Sequence, residues 1–301
     1  MERTRNGKRR RRRNRSHAWL VLLLASITVF LFALAALTSD YKTEAKEAGE
    51  LVELAMRVEA QEQAASAAAV TTEEEGEQSG AQESPPPQGG PAVPDQPQTQ
   101  VLSRFAELYA ENPDLGGWIR IEGTKVDYPV MFTPNDPQKY LHRSFKGESS
   151  SRGVPFIGEG CEIRPRSDNI TIYGHHMKSG DMFAAIVGYE DDAFWREHPY
   201  VEFCTLYEEA EYEVFAVIET DVYKARDLRC YTFVNADSEE DFDDYLSRIQ
   251  AASLYDTGID VAYGDELVTL STCGYHTSNG RFLVIAKKVG SIRTGGETNG
   301  E

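Results

Sequence analysis

No Cys-x-x-Cys pair and no Cys/His set at metal-ligand spacing occurs in this chain of 301 residues, which excludes the common structural zinc sites. Cysteine itself is scarce, limited to Cys161, Cys204, Cys230 and Cys273. No internal repeat is present, so solenoid and propeller architectures fall away. Positive charge is nearly confined to one end. Residues 1–16 carry about +8, and the remainder carries about -26 of the overall -18. Large apolar residues are almost missing from 71–100, which is acidic and rich in Gly, Pro, Ser and Gln. Such a stretch cannot bury a core and is expected to be a disordered linker.

What is present begins with an uncharged apolar run, residues 18–37, directly after the Arg-rich start. At 1.5 Å per residue, twenty residues span about 30 Å, the thickness of a bilayer core. The run exceeds the usual apolar segment of a cleaved signal peptide, so an uncleaved anchor over 18–38 is expected. Residues 1–17 then form a basic cytoplasmic tail, and everything beyond lies outside. This makes the Arg tract a topology determinant, and no nucleic-acid partner is expected. Residues 39–70, with Leu51, Leu54, Ala55 and Val58 at helical spacing, read as a stalk helix. The protein is thus expected to be a single-pass cell-membrane protein with an extracellular domain over 101–290 and a disordered tail over 291–301.

The domain opens with an amphipathic helix through Leu102, Phe105, Ala106, Leu108 and Tyr109, stopped by Asn112-Pro113. Strands are expected over 117–121, 126–130, 153–157, 169–173, 200–206, 212–219, 229–233, 267–272 and 281–289. Helices are expected over 181–189 and 238–253, the latter with Phe242, Tyr245, Leu246 and Ile249 as its buried stripe. Many short strands and few helices indicate a mainly β fold, either a barrel or a sandwich.

Thr269-Leu270-Ser271-Thr272-Cys273 ends one apolar strand, and Arg281 opens the next, eight residues on. Pairing of the two strands puts thiol and guanidinium side by side. A thiol becomes a good nucleophile when a base takes its proton, and His175, in the turn Tyr173-Gly174-His175-His176, is the candidate acid or base. His176 is second choice, and His276, three residues after Cys273, also stays open. An Arg guanidinium stays protonated, so Arg281 suits an oxyanion or a substrate carbonyl. If Cys273 is the nucleophile, three cysteines remain; one disulfide plus a free thiol, or three buried thiols, both fit. Cys204 and Cys230 lie in strand-like segments, which favours buried free thiols.

These residues resemble the sortases, most closely class B. Sortases carry Thr/Ser-Leu-x-Thr-Cys, an Arg on the following strand and an upstream Gly-His turn, matched by Thr269 to Cys273, Arg281 and Gly174-His175. Asn112-Pro113-Asp114, Gly117-Trp118-Ile119, Val126-Asp127-Tyr128-Pro129-Val130, Tyr140-Leu141 and Met182-Phe183 extend the similarity. Gly274 stands where some class B members have an acidic residue after the Cys, and Pro137 stands where relatives have Asn. The resemblance implies an eight-stranded β-barrel with an N-terminal helix and a helical insertion before the Cys-bearing strand. It implies a cysteine transpeptidase that cleaves the sorting signal of exported proteins through a thioester on Cys273. The chain is then transferred to an amine of peptidoglycan, of a lipid-linked precursor, or of a pilin. Ser271, Thr272, Tyr173 and Leu141 match substrate-groove positions. No cofactor or metal is implied. Another cell-wall acyltransferase, the L,D-transpeptidase, needs Ser-His-Gly-Cys-x-Arg, which is missing here. A membrane-tethered binding protein with an inert Cys273 is the remaining alternative.

Overall fold

Alternating apolar residues close into a barrel in the computed structural model, which describes residues 5–76, 100–274 and 279–290. Eight strands form it: β1 (Leu115–Arg120), β2 (Asp127–Met131), β3 (Phe156–Ile157), β4 (Asn169–Tyr173), β5 (Tyr200–Thr205), β6 (Glu211–Asp221), β7 (Leu267–Gly274) and β8 (Gly280–Gly290). Their order around the closed sheet is β1-β2-β3-β4-β7-β8-β6-β5. The β2–β3 and β4–β7 pairs are parallel and the others antiparallel. Closure leaves no free sheet edge to pair with another chain.

Helices are α1 (Arg5–Gly76), α2 (Ser103–Glu111), α3 (Asp192–Glu197), α4 (Val222–Asp227) and α5 (Glu239–Ala252). Strand β8 reads Phe282-Leu283-Val284-Ile285-Ala286 because both of its faces are buried. Phe282, Val284 and Ala286 join the main core, whereas Leu283 and Ile285 join a second cluster beneath α5. Helix α5 brings Phe242, Tyr245, Leu246 and Ile249 to that cluster, and Tyr245 stacks on Phe233 at 3.7 Å. Each such side chain contributes roughly 1.5–3 kcal/mol by burial. The Ser238 side chain caps α5 by accepting from the Asp241 N–H, and Glu239, Glu240 and Asp241 complement the positive end of its dipole.

The chain divides into two units, Met1–Glu50 and Leu51–Glu301. In the first, α1 leaves Leu22, Leu23, Val29, Phe30, Leu31 and Phe32 exposed. Among the described residues, no helix is long and apolar enough to cross a membrane; the side chains at 18, 20, 21, 36 and 37 of the apolar run lie outside those described. In the second unit, Leu51, Leu54 and Val58 of α1 are buried in the main core with Phe105 and Leu108 of α2, and Arg57 pairs with Glu111 at 2.9 Å. Helix α1 continues to Gly76; residues 77–99 and 291–301, which hold most of the expected linker and the tail, lie outside the described residues.

Three expected elements differ. The strand expected over 229–233 is a turn after α4: Arg229 is left-handed (φ 59°), Cys230 N–H donates to the Ala225 carbonyl, and Phe233 N–H donates to that of Arg229. The helix expected over 181–189 is a turn followed by a 3-10 helix, Ala185–Glu190, because Met182 is left-handed (φ 57°). Of 153–157, only Phe156–Ile157 is strand, since Gly153 is also left-handed (φ 62°).

Candidate active site

Strands β7 and β8 pair in register from Leu267↔Lys287 to Gly274↔Gly280, which sets Cys273 opposite Arg281. The Arg281 Nη1 group donates to Cys273 Sγ at 3.7 Å. Cys273 is an exposed thiol, and Cys161, Cys204 and Cys230 are buried and unbonded to one another. Burial raises all three buried thiols, Cys204 to about 11 and Cys230 to about 12, so they stay protonated at neutral pH. Cys204 sits in β5, but Cys230 sits in the turn after α4 and so lacks the strand expected for it.

Strand β4 runs parallel to β7 with Tyr173 beside Ser271. Gly174 N–H donates to the Ser271 carbonyl at 3.1 Å, and Thr272 Oγ1 donates to the Gly174 carbonyl at 2.7 Å. Gly174 is required here, because a Cβ would lie 2.5 Å from the Phe183 ring. The chain therefore leaves β4 fastened to the segment that carries Cys273, and His175 follows. His175 Nε2 lies 2.8 Å from the Leu141 carbonyl. A carbonyl only accepts, so Nε2 carries the proton and Nδ1 is the nitrogen left to exchange one in the neutral ring. The His142 ring stacks on His175 at 5.5 Å. His176 takes another position, with Nδ1 donating to the Cys273 carbonyl at 2.9 Å. His276 lies outside the described residues.

One cleft of about 650 Å³ is lined by all seven residues singled out from sequence: Cys273, His175, Arg281, Ser271, Thr272, Tyr173 and Leu141. Its size suits an extended peptide of a few residues. Tyr231, Phe156, Asp136 and Glu159 also line it and are not among the site residues expected from sequence. The Tyr231 phenol is raised by burial, which nearby Arg281 and Ser271 oppose. Burial pushes the Tyr173 phenol well up, so it remains a neutral hydroxyl. Among the described residues, no group of three or more His, Cys, Asp or Glu side chains is placed to hold a metal. The arrangement of an exposed thiol, an adjacent guanidinium and an imidazole with one free nitrogen suits acyl transfer.

The Sortase domain model matches residues 119–289. Sortase B of Listeria monocytogenes is 32% identical over 194 residues, covering 63% of this chain and 76% of the relative. Among solved structures, sortase B from B. anthracis aligns with a TM-score of 0.57 at 34% identity, over 65% of this chain and 88% of that one. The Staphylococcus aureus sortase B–substrate complex aligns with a TM-score of 0.58 at 27% identity, over 64% and 87%.

Proposed function

Because the chain belongs to the sortase family, as a class B member and hence a cysteine transpeptidase of surface-protein sorting, we propose that Cys273, His175 and Arg281 carry its chemistry. The observation that supports these roles is the in-register Cys273–Arg281 pair sharing one cleft with His175. Cys273 Sγ attacks the Thr carbonyl of a sorting peptide while its proton passes to His175 Nδ1. Arg281 donates to the oxyanion, a contact worth about 2.7–4 kcal/mol in comparable sites. Collapse breaks the C–N bond, and His175 returns the proton to the departing amine, leaving a thioester. An acceptor amine then attacks the thioester carbonyl, loses its proton to His175, and expels the Cys273 thiolate, which regains that proton.

The substrate is a C-terminal sorting signal held along Tyr173, Leu141, Ser271 and Thr272; a Staphylococcus aureus relative was solved as a substrate complex. The acceptor is an amine of peptidoglycan or its lipid-linked precursor, with a pilin amine as the second choice. Residues 18–38 anchor the enzyme, with the N-terminus cytoplasmic and the catalytic domain outside, a reading supported by the basic flank and the exposed apolar side chains of α1. A non-catalytic binding role and an L,D-transpeptidase activity are not favoured by the sortase relationship. Incubating the full chain in detergent with a fluorogenic library of sorting pentapeptides tests the substrate: one motif should be cleaved, and no cleavage of any motif contradicts the proposal. Protease shaving of intact cells tests the topology, since loss of the catalytic domain is expected and full protection contradicts it.

A further inference from the structure

His175 lies outside the strands, in a loop over 174–183; its neighbours Gly174 and His176 bond to β7, but its own backbone pairs within the loop. The loop closes on itself through Phe183 N–H, which donates to the His175 carbonyl at 2.9 Å, and through Met182 N–H, which donates to Tyr128 Oη at 3.1 Å. Its far end is held by charge. Asp181 accepts from Arg152 Nη1 at 2.5 Å and from Ser179 Oγ at 2.9 Å, and lies 3.3 Å from Lys125 Nζ. Desolvation pushes the Asp181 carboxyl up, but the hydrogen bonds from Arg152, Ser179 and Lys125 outweigh it and hold the group below its ordinary value.

Arg152 is only 3% exposed, so its ion pair with Asp181 is largely shielded from water and costly to break. Its own segment rests on the backbone that receives His175. Arg152 N–H and Gly153 N–H both donate to Ser150 Oγ at 3.1 Å, and Val154 N–H donates to the Tyr140 carbonyl at 3.1 Å. Gly153 approaches so closely that a Cβ would lie 2.5 Å from the Leu141 carbonyl oxygen. That oxygen is the one His175 Nε2 donates to. The contacts form a ring from His175 to Leu141, to the Gly153 backbone, to Arg152, to Asp181 and along the loop back to His175.

We propose that Asp181 is a positioning residue whose ion pair with buried Arg152 fixes the His175 imidazole in the cleft. The proposal rests on His175 being the acid–base group. Neither Arg152 nor Asp181 lines the cleft, so peptide binding should survive loss of the ion pair while proton transfer should not.

The test measures kcat, KM and the unfolding midpoint of the full chain in detergent with a cleaved sorting peptide. Asp181→Asn is expected to lower kcat at least tenfold with KM within twofold, and Asp181→Glu to recover part of the loss. Lys125→Met, which removes an exposed partner, should stay within twofold. Wild-type kcat in Asp181→Asn, or a fall that merely tracks the unfolded fraction, overturns the proposal. Should Asp181→Asn fail to fold, Arg152→Lys is measured in its place; a lower kcat at constant KM supports the proposal, and an unchanged kcat overturns it. Turnover by His175→Ala would instead overturn the reading of His175. An inactive His175→Ala beside a normal Asp181→Asn overturns only the role of Asp181.

Discussion

Cys273 and Arg281 stand on two strands joined by eight consecutive residue pairs, whereas His175 leaves the end of β4 in a loop held by side-chain and single backbone contacts. A register slip between β7 and β8 would turn every apolar side chain of β8 to the wrong core, so the thiol and guanidinium are placed by the same burial that folds the barrel. The imidazole has no such guarantee. The His175 backbone is fastened to β7 only through its neighbours Gly174 and His176, and the ring itself is placed by the Leu141 carbonyl, the His142 ring and the Asp181–Arg152 pair. With the proposed roles, the comparison teaches that the thiol–guanidinium geometry is built into the sheet, while the group proposed for proton transfer is built onto it.

The comparison can be broken first on its loop side. His175→Ala should lower kcat by roughly 10²–10⁴ while the unfolding midpoint stays near wild type, since the half-buried ring is no part of either core. Steady-state kinetics beside thermal unfolding checks both halves. On the strand side, Arg281→Ala should cost about 10²–10³ in kcat, with Arg281→Lys recovering part through its remaining positive donor. A mass-spectrometric time course should show slower thioester formation and unaltered motif preference.

How much of this was legible before folding follows the same division. The Cys273–Arg281 pairing could be read because two apolar runs separated by a short connection form a hairpin, and β-periodicity then fixes their register. The buried stripe of α5 was legible from its 3.6-residue period, and all four named residues are buried. The turn over 229–233 was not, because Cys230-Tyr231-Thr232-Phe233 has strand-like composition and its left-handed Arg229 leaves no mark in sequence. The same turn brings Tyr231 to the cleft, which Val222 at the start of α4 also lines. The His175 turn is legible from its Gly-His sequence in the company of the Cys273–Arg281 segment, a pattern the family resemblance then matches, whereas Asp181 and Arg152 are twenty-nine residues apart and meet only in the tertiary structure.

Two smaller effects sharpen the contrast between scaffold and site. Ile249→Ala, in the α5 cluster and away from the residues lining the cleft, should lower stability by about 2–5 kcal/mol and leave kcat per folded molecule unchanged; denaturant titration with activity normalised to folded protein checks this. Acid should act the other way, on the tethers. Asp114 is held low because bonds from Lys139 and Tyr140 outweigh its desolvation, and Asp181 is held low in the same manner by Arg152 and its neighbours. A depressed carboxyl stabilises the fold fully above its unfolded value, near about 3.9, and loses that stabilisation as pH falls through its folded value. The contribution of these two carboxyls should therefore be flat from pH 7 to about 5 and be lost below about pH 4, as calorimetry of wild type beside Asp114→Asn across that range would show.

Trapping the acyl-enzyme tests the central claim most directly. Wild-type enzyme and Cys273→Ala are incubated with the cleaved sorting peptide in the absence of an acceptor amine, digested and mapped by mass spectrometry. The account predicts a hydroxylamine-labile adduct, equal in mass to the N-terminal part of the substrate, on the peptide containing Cys273 in wild type and no adduct in the variant. Turnover by Cys273→Ala, or an adduct carried by any other residue, would contradict it.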